Sequence, residues 1–287
     1  MKVIKSIIAI VKQNFRKWVV NPRYYILLVF VLTNYWHQMD GMLEQAKEIG
    51  AGMNAFSLFP VLYSNSLGMG RLILNAGVLL LFCDAPFIDR NQQFVITRSG
   101  KKIFGMAQIL YIVCGAAIYT LVLAICPCIF TYGYVGISED WGTLMRTVAL
   151  SNVPILGNIG VSRRMLELYS AKEAFLLQTA LFFLIAVVLG LVVYLFNLLF
   201  QRMAGIIGAG ILMLLGVLPY YFPFQLQWVY WISPVSFAEI HHLDFTGSTV
   251  YPPVWYAFTF LSIGILVLSG AILFAIGKTK LIVREEL

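Results

Sequence analysis

Glu239, His241, His242 and Asp244 lie close together in the C-terminal third. Two imidazoles and two carboxylates can ligate a divalent metal. Adjacent histidines in a loop are more often simply solvated, so no metal is expected here. Cys126-Pro127-Cys128 sets two thiols about a proline and could relay a metal ion. Its apolar flanks favour small residues at a kinked helix end. With Cys83 and Cys114 the chain has four cysteines, none at zinc-ligand spacing and none implying a disulfide framework. Gly277-Lys278-Thr279 resembles the end of a phosphate-binding loop, but the earlier glycine position holds Ile272. It also follows an apolar run, not a buried strand. It reads as a basic stop at a membrane edge. No paired carboxylates, nucleophile–base pair or metal cluster lies in the apolar runs, so no enzyme is expected.

The surrounding chain explains this shortage of chemistry. Of 287 residues, 60% are hydrophobic and 11% charged. Soluble domains average roughly 45–50% apolar and about 25% charged. A soluble core cannot absorb such an excess, whereas a bilayer can. The net charge of +7 does not point to nucleic acid, because the basic residues flank apolar spans.

The expected fold is all-α: a single polytopic domain over 1–287 with about six transmembrane helices. Residues 1–22 form an amphipathic interfacial helix before them. Ile4, Ile7, Ile8, Val11, Phe15, Trp18 and Val19 share one helical face, with Lys5, Lys12, Arg16 and Lys17 largely off it. A basic amphipathic helix with a Trp anchor suits a membrane surface; packing against protein is the plainer alternative. The charged stretch is too long for a cleaved signal peptide. Asn21-Pro22 turns the chain. The spans are expected at Tyr24 to Trp36, from between Phe56 and Leu72 to Phe82, Ile103 to Phe130, Ala174 to Phe200, Met203 to Tyr221, and Trp255 to Ile276.

With the N-terminus inside, fourteen of the 20 Lys and Arg fall on cytoplasmic segments and six on external ones. Positive-inside bias then places both termini in the cytoplasm of a cell-membrane protein. Spans three, four and six carry no charge, which argues against a proton- or sodium-driven carrier. Arg71 is the exception. It lies thirteen residues before Asp84, roughly 20 Å along a helix, in the outer half of the bilayer. It either snorkels outward or faces a polar pathway or helix partner.

Span five carries Ala204, Gly205, Gly208, Ala209, Gly210 and Gly216, whose four-residue spacings make faces for close helix contact. Those faces serve packing within the chain or pairing with a second chain. Segment 222–254 is expected to form an external re-entrant or interfacial hairpin. Trp228, Tyr230, Trp231 and Pro234 are its candidate substrate-exit residues. The plainer reading is a surface loop with an aromatic belt.

Four features resemble the transmembrane subunit of an ABC-2-type ATP-binding-cassette exporter. They are the basic helix before span one, the charged loop 84–102, the short turn Gln201-Arg202, and the Pro219 to Pro234 region ending Trp231-Ile232-Ser233-Pro234. The long external segment Thr131 to Glu173 departs from the simplest members. The resemblance implies a homo- or heterodimer of permease chains, each docked on a cytoplasmic ATPase that carries the ATP and magnesium. It makes loop 84–102 a coupling element, with Asp89, Arg90, Gln92, Gln93, Arg98 and Lys101 as its polar surface. The alternative is an ordinary positive-inside loop. The expected function is export of a hydrophobic or amphipathic peptide, drug or lipid-like molecule, with no cofactor on this chain. The other possibility is a non-transporting membrane sensor or assembly factor.

Overall fold

The computed structural model describes residues 2–64, 69–87, 92–151, 161–200, 203–222, 225–244 and 249–278. The order is α1 (Lys2–Arg16), α2 (Pro22–Ile49), β1 (Met53–Asn54), α3 (Ala55–Tyr63), α4 (Met69–Phe82), α5 (Gln92–Ser99) and α6 (Lys101–Phe130). Then come β2 (Val135–Gly136), α7 (Gly142–Ser151), α8 (Arg163–Leu168), α9 (Ala171–Leu199), α10 (Ala204–Tyr221), α11 (Val229–Ile232) and α12 (Val254–Lys278).

Among the described residues the fold is all-α apart from a two-stranded parallel pairing of β1 with β2 and an isolated bridge between Asp244 and Pro253. Among the described residues three helices, α6, α9 and α12, are long and apolar enough to cross a membrane. This is fewer than the six expected. The segment expected as span one continues as α2 to Ile49, and beyond Trp36 it carries His37, Asp40, Glu44 and Lys47. Span two is divided into α3, which contains Pro60, and the 14-residue α4. The apolar stretch of α10 is also short, Ala204–Pro219.

α9 is the central helix. It packs against α3, α4, α6, α10 and α12, and its apolar window is 72% buried against 22% for α12. Its start is set by a capping box: Ser170 Oγ accepts from the Glu173 N–H, and Glu173 Oε2 accepts from the Ser170 N–H at 2.9 Å. At its far end Asn197 ties three elements. Its Nδ2 donates to Cys83 O (3.2 Å) and Ala85 O (2.9 Å), and its Oδ1 accepts from Gly205 N (2.8 Å). Close by, Arg23 pairs with Asp84 and donates to Leu81 O at 2.9 Å.

The amphipathic α1 lies along α6. Asn14 donates to Gln108 Oε1 at 2.8 Å, and Trp18 Nε1 donates to the Tyr111 hydroxyl at 2.7 Å. Trp18 stacks on Tyr24 with ring centroids 4.8 Å apart. The buried side is Ile10, Val11 and Asn14, while Ile4 and Ile8 of the expected apolar face are exposed. One flank of the helix therefore packs on protein and the other stays open.

Of segment 131–173, residues 131–151 and 161–173 are described, and they pack beside β1 and α2. Asn54 organises them, donating to Ser138 O at 2.8 Å and also to Asp140 O. Trp141 Nε1 donates to Tyr169 O at 2.7 Å, and Lys172 pairs with Glu139 at 2.9 Å.

Gln178, fully buried in α9, has no hydrogen-bond partner for either amide atom among the described residues. A buried unsatisfied amide costs about 1–3 kcal/mol. Gln178→Leu is therefore expected to raise the thermal midpoint of the purified chain in detergent. A lower midpoint would show that the amide has a partner in solution.

Candidate functional site

The sequence leaves Arg71 either reaching outward or finding a partner, and the structure gives it a partner. Arg71, in the first turn of α4, forms an ion pair with Glu239, and both side chains are 3% exposed. Glu239 follows the 3-10 turn Pro234–Ala238, which packs on α9, α10 and α12. This burial places the guanidinium among protein side chains. Desolvating two charges is costly unless they compensate each other, so the pair holds α4 against the returning segment.

The histidines are not the solvated loop residues expected. His241 and His242 are both partly buried, among buried Phe237, Ile240 and Leu243. His242 Nδ1 lies 2.7 Å from Glu239 Oε2. A carboxylate can only accept, so Nδ1 carries the proton. Tyr230 and Tyr251 flank the His242 ring, with centroids 4.5 and 5.0 Å away. Arg164 lies over the Tyr251 ring at 4.9 Å. Asp244 is buried as well, and accepts from Thr249 N and Thr249 Oγ1, each at 2.7 Å.

Glu239, His241 and His242 place one ligand atom each within 4.8 Å of one another. Arg71 already neutralises the carboxylate, so a divalent ion there would bury excess positive charge. The cluster is better suited to structure than to metal binding.

Burial, then the charges of Arg71 and Arg164, push the His242 pKa from 6.5 down to about 3. His241 is held well below the usual histidine range by burial, His242 and the same arginines. Both shifts favour the neutral ring in the folded chain. Below about pH 6.5 the unfolded chain binds more protons than the folded one, so stability falls with acidification. The thermal midpoint should drop progressively from pH 7 toward pH 4, and His242→Gln should flatten that drop. An identical slope in the variant would contradict the neutral-ring assignment.

The expected exit residues separate. Tyr230 and Pro234 are buried, Trp228 is 57% exposed, and Trp231 is partly buried, donating to Val250 O at 2.9 Å. Residues 233–240 are all buried. The segment thus folds back against α10 instead of lying free.

Of the expected coupling residues, Asp89 and Arg90 lie outside the described residues, as does the Gln201-Arg202 turn. Gln92 begins α5, and Gln93 and Arg98 are exposed on it. Lys101 is partly buried at the start of α6. α5 packs on α6 through buried Ile96 and leaves Phe94 78% exposed. Phe94 is an apolar feature of this helix absent from the expected polar set, though its place among Gln92, Gln93, Thr97 and Arg98 marks it.

Gly205 and Gly208 of α10 meet the chain's own α9. A Cβ at Gly205 would lie 2.3 Å from Val193 O, and one at Gly208 would lie 3.1 Å from Phe196. Gly210 faces open space. Comparison with protein-family models, with curated proteins and with solved structures finds no match to this chain.

Proposed function

We propose that the chain is the membrane-spanning subunit of an ABC-2-type exporter, energised by ATP hydrolysis on a separate cytoplasmic protein. The observation that carries this reading is α5. It is a short helix joined directly to the long apolar α6, with Phe94 exposed among the polar Gln93, Thr97 and Arg98. An exposed aromatic on a short surface helix is suited to a groove in a partner protein. A rigid joint to α6 would pass motion from that partner into the bundle.

In this reading the chain crosses the cell membrane six times with both ends cytoplasmic. α2, the broken pair α3 and α4, and α10 supply the spans beyond the three long helices. The polarity of α2 beyond Trp36 fits projection past the outer face beside segment 131–173. α1 lies in the cytoplasmic interface, with Val3, Ile4 and Ile8 turned to lipid. Two permease chains assemble with two ATPase chains. The exit for a hydrophobic or amphipathic substrate passes the refolded 222–254 segment, where Trp228 is exposed.

The purified chain alone should hydrolyse no ATP and should co-purify with a soluble ATPase from mildly solubilised membranes. Phe94→Asp with Arg98→Glu should abolish ATP-driven export while leaving the thermal midpoint unchanged. ATP-driven export at the parent rate in that double variant would refute coupling through α5.

A further inference from the structure

On the bundle's outer surface, α6 and α12 enclose an open groove of about 510 Å³ lined by Lys102, Met106, Leu273, Phe274, Gly277 and Lys278. This lies within the roughly 300–1,000 Å³ range of small-molecule sites. The helices approach closely at Gly105, where an added Cβ would lie 3.2 Å from Ile276 and 3.3 Å from Leu273. Gly277 has open space where its side chain would be, and this leaves the groove unfilled. Met106 and Phe274 are exposed apolar walls. Lys102, in the first turn of α6, and Lys278, the last residue of α12, stand at the same end of the groove. The Lys278 ammonium sits 4.1 Å from the centre of the Phe274 ring, which anchors one charge at the mouth.

We infer that this groove binds one phospholipid with an anionic headgroup, its phosphate at Lys102 and Lys278 and an acyl chain along Met106, Leu273 and Phe274. The charge pattern selects the occupant. Two ammonium groups at the end of an apolar trough complement a molecule that is anionic at one end and hydrocarbon beyond it. A soluble anion would leave the trough unused, and a neutral lipid would leave the ammonium groups unmatched. Basic residues at the edge of a span attract anionic lipid. The inference requires only that α6 and α12 cross a bilayer, not that the chain is an exporter.

Native mass spectrometry of the delipidated full chain tests this with phosphatidylglycerol and phosphatidylcholine of identical acyl chains. Phosphatidylglycerol should bind about 20-fold more tightly, as two lysines near an anionic group imply. Lys102→Gln with Lys278→Gln should abolish the preference, whereas Lys47→Gln with Lys172→Gln should keep it. Gly277→Trp should weaken both lipids by filling the trough, and glycerol phosphate should not compete. No preference in the parent chain, an unchanged preference in the Lys102/Lys278 variant, or competition by glycerol phosphate would each overturn the proposal. Identical elution volume and thermal midpoint of the variants keep the comparison free of misfolding.

Discussion

Arg71→Met or Glu239→Leu, introduced singly, is expected to remove most of the folded protein recovered in detergent. Each leaves an uncompensated charge that the structure buries to 3% exposure. Removing one partner of a buried pair costs about 3–5 kcal/mol, a large share of the roughly 5–15 kcal/mol that holds a typical domain together. The double variant Arg71→Met, Glu239→Leu should recover much of the loss, because no charge then remains to be desolvated. His242 Nδ1 loses its acceptor in that variant, so recovery should be incomplete. Yield after size exclusion and the thermal midpoint measure all three variants. Single variants with parental midpoints would show that neither charge is buried as described.

Gly205→Ala should be the most damaging glycine replacement in α10. The new Cβ would meet Val193 O at 2.3 Å and Asn197 Oδ1 at 2.6 Å. The first is backbone and cannot swing aside, so α9 and α10 must separate. That separation strains the bond from Gly205 N to Asn197, and with it Asn197's bonds to Cys83 and Ala85. Overpacking typically costs about 1–3 kcal/mol, and the loosened polar links add to that. Gly210→Ala is the control on the same helix. Its side chain would enter open space, and Ala at a helical position stabilises by about 0.4–1 kcal/mol. A midpoint drop for Gly205→Ala together with a small rise for Gly210→Ala is the expected pair. Equal effects would show that α10 does not approach α9 through Gly205.

The sequence made α6, α9 and α12 readable to within a few residues, because each is an uninterrupted apolar run between polar marks. The helix that holds the expected span one runs on past Trp36 to Ile49, although His37, Asp40 and Glu44 resemble an exit from the bilayer. The buried residues Tyr35, Gln38, Met39, Met42 and Ala46 nevertheless keep helical spacing, and that periodicity carries α2 to Ile49. The end of α3 at Tyr63 has a local sign in Pro60, which does not suit a plain lipid-facing helix.

The Arg71–Glu239 pair joins residues far apart in sequence, and no local pattern specifies such a pairing. The available sign was coarser: an isolated base and an isolated acid, each within an apolar stretch. The apolar neighbours Phe237, Ile240 and Leu243 likewise argue for burial of the intervening histidines. Asn54 donates to the carbonyls of Ser138 and Asp140, again across a distance that periodicity does not span. On α5 the polar residues mark an ordinary surface, whereas Phe94, an apolar side chain left exposed, is the stronger sign of a partner.

Energy supplied in trans through α5 is tested most directly by photo-crosslinking in intact cells, with a photoreactive phenylalanine analogue in place of Phe94. The account predicts a single prominent adduct to a soluble nucleotide-binding ATPase, absent when the analogue replaces Trp228 instead. An adduct only to lipid or to another membrane protein, or labelling of position 94 by an impermeant reagent outside the cell, would contradict it.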